Sequence, residues 1–245
     1  LAFCSWQGVV GVRFAAMAGE QIQLGVVRRL PPTPQTPPDR RTECSVVRCG
    51  DTGGPGLPVF LSWDGLRRLC EHVCSDAEVE LGGVLVGDQC QDEQGNPFVI
   101  MTGSLAAQDY TNSAGSFTFT HNTWSRFTRE LESLSGNRRI IGWYHSHPGW
   151  GVFLSDRDQF ICENFFAGAL DIAVVVDPQS NQLGVFQRIC CGKSDWLQPA
   201  AGCCVFVEGV ASAEMTARGL PTPLRYFVGP VGANFAAPSR SGRQD

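Results

Sequence analysis

Two of the four histidines in the 245-residue chain, His145 and His147, stand two apart at the end of the apolar run Arg139–His147. On a strand, residues i and i+2 project to the same face, so both imidazoles can aim at one atom. Pro148 stops the ladder, and the Gly-rich turn Gly149-Trp150-Gly151 leads on to a helical pattern from Asp156. At its start, Ser155 and Asp158 are three apart and share a face. Two imidazoles plus one carboxylate form the donor set of an open catalytic zinc site, with water in the fourth position. Softer metals would recruit thiols, and magnesium would take more oxygen ligands. The candidate metal ligands are therefore His145, His147 and Asp158.

Hydrolysis at such a site also needs a base. A carboxylate in apolar surroundings has the raised pKa that suits proton transfer near neutrality. Glu80 is the best candidate by pattern: it opens Glu80-Leu81-Gly82-Gly83-Val84-Leu85-Val86-Gly87, a nearly uninterrupted apolar strand where a lone carboxylate is costly. Spacing alone does not separate it from Glu78 or Asp88. Ser155 is also suited to a purely structural role as a helix N-cap, and Trp150 and Phe153 to packing. His121, before a helix start, reads as structural or surface.

The elements that must position these residues alternate between the two periods. Pro58–Ser62 reads as a short strand, and Trp63–Cys74 places Leu66, Leu69, Cys70 and Val73 on one helical stripe. Glu80–Val86 and Phe98–Thr102 read as strands around the polar turn Asp92–Asn96, and Ser116–Thr120 alternates polar and aromatic residues. A helix runs from Asn122 or Thr123 to Leu134. Arg139–His147 is strand-like, Asp156–Phe166 helical, and Leu170–Val176 and Leu183–Arg188 are strands. Helices interleaved with a largely hairpin-connected sheet predict a mixed α/β (α+β) domain. Neither a dinucleotide loop nor a P-loop is present, since Gly82, Gly83 and Gly87 lack the spacing and the Lys.

The expected organisation is an N-terminal extension over 1–54, a compact domain over 55–215 and a C-terminal extension over 216–245, partly disordered. Pro31–Arg41 packs five prolines into eleven residues and reads as a semi-rigid linker. The chain begins with Leu and its first Met is Met17, so Leu1–Ala16 reads as a nonstandard start or as sequence upstream of the true beginning. Nineteen basic against 24 acidic residues, a net charge of −5, argue against a general grip on nucleic acid. No apolar run approaches the roughly 20 residues that span a bilayer. Eleven cysteines with a poor signal sequence at Leu1–Gly19 point to a reducing, cytoplasmic compartment. Cys190-Cys191 and Cys203-Cys204 do not suit one four-thiolate zinc site, because adjacent strand residues face opposite ways. Cys70 and Cys74 share a helical face that His72 does not.

His145-Ser146-His147, ten intervening residues and Asp158, with Ser155 three before it, resembles the JAMM motif of the MPN/JAB (Mov34/MPN/PAD-1) zinc metalloproteases. The segment Glu80-x-x-Gly83-x-x-x-Gly87 is similar to the family's upstream glutamate strand. Pro148-Gly149-Trp150-Gly151 and Phe153-Leu154-Ser155 look closest to the eukaryotic-type deubiquitinase branch. The resemblance covers about residues 57 to 190. It implies a curved, mainly antiparallel sheet flanked by helices, of the cytidine-deaminase-like kind. It also implies a zinc-dependent isopeptidase cutting after the C-terminal Gly of ubiquitin or a ubiquitin-like protein. On that likeness His145, His147 and Asp158 would hold one Zn2+ per chain. Glu80 would move the proton, Ser155 would hydrogen-bond the oxyanion, and Trp150 and Phe153 would flank a groove for a Gly-Gly tail. Two further readings stand beside it: processing of a sulfur-carrier protein's C-terminus, and a non-catalytic MPN scaffold. A protein partner or a homo-oligomer is compatible with each.

Overall fold

A computed structural model describes residues 30–54, 56–108, 119, 121–134, 138–188, 197–211, 214, 226–229 and 234–236. Leu1–Ala16, the Thr111–Ser116 loop, and Cys190 and Cys191 lie outside the described residues. The strands are β1 (Thr33–Pro34), β2 (Cys44–Gly50), β3 (Val59–Ser62), β4 (Gly82–Gln91), β5 (Pro97–Ala106) and β6 (Arg139–Ser146). They continue with β7 (Ile172–Asp177), β8 (Gln182–Gln187), β9 (Gln198–Pro199), β10 (Gly202–Glu208), β11 (Tyr226–Val228) and β12 (Asn234–Ala236). The helices are α1 (Trp63–Val73), α2 (His121–Ser133) and α3 (Asp156–Phe165). These elements belong to the unit Pro32–Asp245; Leu1–Pro31 forms the other unit.

The strands make one mixed sheet in the order β12-β11-β8-β7-β6-β4-β5-β3-β10-β2, with β1 added beside β4 and β9 beside β8. Its longest ladders, β4–β5, β10–β2, β4–β6 and β7–β8, are antiparallel. The curled, mainly β architecture with α1, α2 and α3 among the described residues is the expected mixed α/β fold. The stretch expected to be an N-terminal extension contributes β1 and β2, and Tyr226–Val228 adds a strand beside β8. The pairing of β2 with β10 joins residues some 150 positions apart, which local periodicity does not reveal.

The two periodicities explain how the faces are covered. Ser62 caps α1, its Oγ accepting the Gly65 N–H at 3.1 Å. Leu66, Leu69, Cys70 and Val73 then bury as one stripe against Leu85, Tyr144, Val174 and Val176. On the other face Phe127 of α2 and Ile161 and Cys162 of α3 pack against Val84, Trp143, Ala173 and Val175. Alternation along β6 thus sends Tyr144 towards α1, and sends Trp143 towards α2 and α3. All six residues of β7 are buried, as expected for a central strand covered on both faces. Cys203 faces the α1-side core and Cys204 a separate cluster with Phe60 and Phe98. Among the described residues no helix is long and apolar enough to cross a membrane.

Candidate metal centre

The β4–β6 register assembles the site. Gly82 pairs with His145 across this antiparallel ladder. Continuing it by two residues sets Glu80 across from His147. Ser146, the residue between the histidines, fixes that continuation twice over. Its N–H donates to the Leu81 carbonyl at 2.8 Å, and its Oγ accepts the Leu81 N–H at 2.9 Å. On the other side the His147 N–H donates to the Val176 carbonyl at 2.8 Å. The chain end of β6 is thus clamped between β4 and β7.

From the far side comes α3. Ser155 is its N-cap and forms a capping box with Asp158. The Ser155 N–H and Oγ–H both donate to Asp158 Oδ2 at 2.7 Å, and the Asp158 N–H donates to Ser155 Oγ at 3.2 Å. That box aims Oδ2 at the histidines, 3.4 Å from His145 Nε2 and 3.7 Å from His147 Nε2. The two Nε2 atoms are 3.0 Å apart. Glu80 Oε1 completes the group at 4.0 and 3.8 Å from them. All four side chains are buried, and one ligand atom from each lies within 4.8 Å of the others.

The donor chemistry fits a divalent cation of the zinc type. His147 Nδ1 lies 3.3 Å from the Gly151 carbonyl. A carbonyl only accepts, so Nδ1 carries the proton and Nε2 turns a lone pair inward. Such a nitrogen facing a second imidazole at 3.0 Å, with an ionised carboxylate alongside, matches a mixed N/O site for zinc. Trp143 stacks on the His145 ring, with centroids 4.3 Å apart and planes at 12°. The indole is itself fixed by Nε1–H donation to Cys162 Sγ at 3.2 Å. His145 Nδ1 is buried without a hydrogen-bond partner.

The two carboxyls are pushed in opposite directions. Burial raises Glu80 above its ordinary range, with His145 and His147 pulling against that and Asp158 adding to it. Burial also pushes Asp158 up, but the neighbouring His145 and His147 imidazoles and the hydrogen bond from Ser155 outweigh it. Asp158 is therefore held well below the carboxylate range. One acid suited to carry a proton beside one locked as an anion is the division of labour that two-carboxylate sites use.

The remaining candidates lie at the rim. Trp150 and Phe153 are 58% and 44% exposed, with ring centroids 6.1 and 4.6 Å from that of His147. Ser155 contacts Asp158, its hydroxyl donating to Oδ2 of that carboxylate. Asp177, at the end of β7, is fully buried and accepts the Gly149 and Gly151 N–H groups at 3.0 Å each. Sequence reasoning passed over it, and over Trp143. The signal for Asp177 was an acid ending a wholly apolar strand and followed by Pro178. Elsewhere Cys49 and Cys203 meet as a hydrogen-bonded pair across β2 and β10, but among the described residues no other group of three or more His, Cys, Asp or Glu converges.

Residues 64–185 match the family model for prokaryotic homologs of the JAB domain. The chain is 28% identical over 137 residues to the NAD(+) hydrolase TcpA of a Theionarchaea archaeon, covering 54% of this chain and 37% of that protein. It is 29% identical over 125 residues to subunit 5 of the COP9 signalosome complex of Candida albicans, covering 49% and 20%. To the ubiquitin carboxyl-terminal hydrolase RPN11 of Saccharomyces cerevisiae it is 26% identical over 137 residues, covering 55% and 44%. This chain therefore matches less than half the length of each of these relatives. The matched segment contains every residue of the convergent group, and the chain belongs to the JAB/MPN family that carries the JAMM motif.

Proposed function

We propose that the protein is a zinc-dependent isopeptidase that hydrolyses the bond after the C-terminal Gly of ubiquitin or a ubiquitin-like protein. The observation that carries this reading is the convergence of four buried side chains, Glu80, His145, His147 and Asp158, with ligand atoms within 4.8 Å of one another. A family relationship with RPN11, named as a ubiquitin carboxyl-terminal hydrolase, supports it. The reading places the protein in the cytoplasm, where the eight free thiols among the described residues would stay reduced.

In this scheme His145, His147 and Asp158 hold one Zn2+ per chain. Bound there, the ion would supply Lewis-acid polarisation of a carbonyl and an acidified water. Glu80 takes a proton at Oε1 and returns it to the leaving lysine amine, a transfer that its raised pKa suits. The Ser155 hydroxyl, released from Asp158, donates to the oxyanion. Trp150 and Phe153, exposed beside the His147 ring, flank an extended Gly-Gly tail and exclude side chains larger than Gly.

The test is hydrolysis of Gly-Gly-Lys isopeptide conjugates of ubiquitin and of several ubiquitin-like proteins, with and without added zinc. Zinc-dependent release of the lysine peptide supports the reading. Cleavage confined to linear extensions of a Gly-Gly terminus would favour sulfur-carrier processing. Zinc binding without cleavage of any conjugate would favour a scaffold role.

A further inference from the structure

The turn between the two candidate histidines and α3 is held by a single carboxylate on another strand. Both oxygens of Asp177 are engaged. Oδ1 accepts the N–H groups of Gly149 (3.0 Å), Gln179 (3.0 Å) and Ser180 (3.1 Å). Oδ2 accepts the backbone N–H of Gly151 at 3.0 Å, and the Ser180 side chain adds a further hydrogen bond to the carboxylate. Gly149 and Gly151 have φ of 75° and 85°, left-handed values that turn their amides inward and that favour glycine. Burial would raise its pKa, but hydrogen bonds from the Gly149, Ser180 and Gly151 amides and from the Ser180 side chain outweigh it, so Asp177 is an anion with acceptors only.

The residue whose N–H Asp177 accepts is the one whose carbonyl faces His147. The Gly151 carbonyl accepts the His147 Nδ1–H at 3.3 Å. We infer that Asp177 is a positioning residue which, through Gly151, sets the tautomer of His147 so that its Nε2 lone pair faces the metal site. Asp177 touches neither His147 nor the convergent group, and acts only by where it holds the Gly151 peptide. Partners that fix the proton on the far nitrogen of a ligating imidazole commonly tune metal affinity.

The asymmetry of the carboxylate supplies a clean test. In Asp177→Asn the three donors at Oδ1 fix the amide oxygen there, which leaves the NH2 facing the Gly151 N–H. Of the four backbone bonds one is lost, and it is the bond to Gly151. The imidazole nitrogens are read by 15N–1H NMR on the metal-free protein above about pH 8, past the ordinary imidazole range. The wild type should show His147 protonated on Nδ1, and the variant should shift towards Nε2–H. Its zinc dissociation constant, read by competition with a chromophoric chelator, should rise about 10- to 100-fold. Amide exchange of the wild type is the check that needs no variant: the Gly151 N–H should exchange more slowly than an exposed loop amide. An unchanged His147 tautomer in Asp177→Asn, or a Gly151 amide exchanging at the rate of free loop, would overturn the inference. The zinc arm rests on the metal reading above, whereas the tautomer and exchange arms do not. A wild type that binds no zinc would therefore end the metal reading and leave the role of Asp177 to be decided by NMR.

Discussion

Glu80 sits across the extended β4–β6 ladder from His147, with Oε1 3.8 Å from the imidazole Nε2. Main-chain register produces this relationship, since Glu80 lies two residues before the first residue of β4 and is aligned by the two bonds between Leu81 and Ser146. A slip of one residue would turn every side chain of the strand to the other face. The Glu80 carboxylate, proposed to carry the proton, and the imidazole beside it are therefore placed by the same pair of strands.

Glu80→Gln should leave zinc binding intact and lower turnover by about 10²–10⁴-fold, the range over which a positioned general base acts. The glutamine keeps the shape and removes the site for the proton. Because the ionised form is the base and burial raises its pKa, the rate should fall as pH drops through a value above the ordinary 4.5. Plotting kcat/KM against pH for wild type and variant checks both parts. Full activity in Glu80→Gln would falsify the assignment.

Zinc content should be one per chain in the wild type and be lost when His145→Ala and Asp158→Ala are combined. Cys203→Ala and Cys204→Ala should leave it unchanged, because those thiols face opposite sides of β10 and join different clusters. Atomic absorption on the purified proteins decides it. Zinc retained by the His145/Asp158 double variant, and lost with the cysteines, would move the metal to the thiols.

How much of this was legible in the sequence depends on how local each signal is. The histidine pair has a period of two, and Ser155 with Asp158 has the spacing of a capped helix, so both could be read directly. So could the stripe of α1, which buries the expected Leu66, Leu69, Cys70 and Val73. Cys44–Gly50 and Gly202–Glu208 pair with each other along seven residues, yet neither segment announces a partner so distant. The proline-rich composition before the first and the paired thiols in the second drew attention to linkers and metals. Asp177 and Trp143 were missed for a related reason. Their roles are contacts across strands, to Gly151 and to the His145 ring, and no spacing encodes them.

The two carboxyls should tilt the pH dependence of stability in opposite directions in the metal-free protein. Asp158 has a folded pKa below its ordinary 3.8, so the unfolded chain binds the proton more tightly. Its contribution is complete above that value and is lost as pH falls below it. Glu80 is raised above 4.5, so its contribution is present below that value and is lost as pH rises through the folded pKa. Urea titrations at several pH values should show Asp158→Asn most destabilised relative to wild type above about pH 5, with the gap closing in acid. Glu80→Gln should gain on wild type as pH rises towards neutrality. A pH-independent gap for Asp158→Asn would mean that the carboxylate is not held by charge and hydrogen bonds as described.

Ser155 has two separable duties, and a pair of substitutions divides them. As the N-cap of α3 its oxygen accepts the Asp158 N–H, and loss of such a cap to alanine costs about 1 kcal/mol. As a donor to a developing oxyanion its hydroxyl would be worth about 10²–10³ in kcat. Glycine at an N-cap retains most of the capping preference and costs only about a few tenths of a kcal/mol, yet it has no hydroxyl. Ser155→Ala should therefore lower both the melting temperature and kcat, whereas Ser155→Gly should lower kcat by a similar factor with little effect on melting. Both are measured at saturating zinc, because each also removes the hydroxyl that donates to Asp158 Oδ2. If kcat instead follows stability, falling in Ser155→Ala and recovering in Ser155→Gly, the hydroxyl acts only by holding the helix that delivers Asp158.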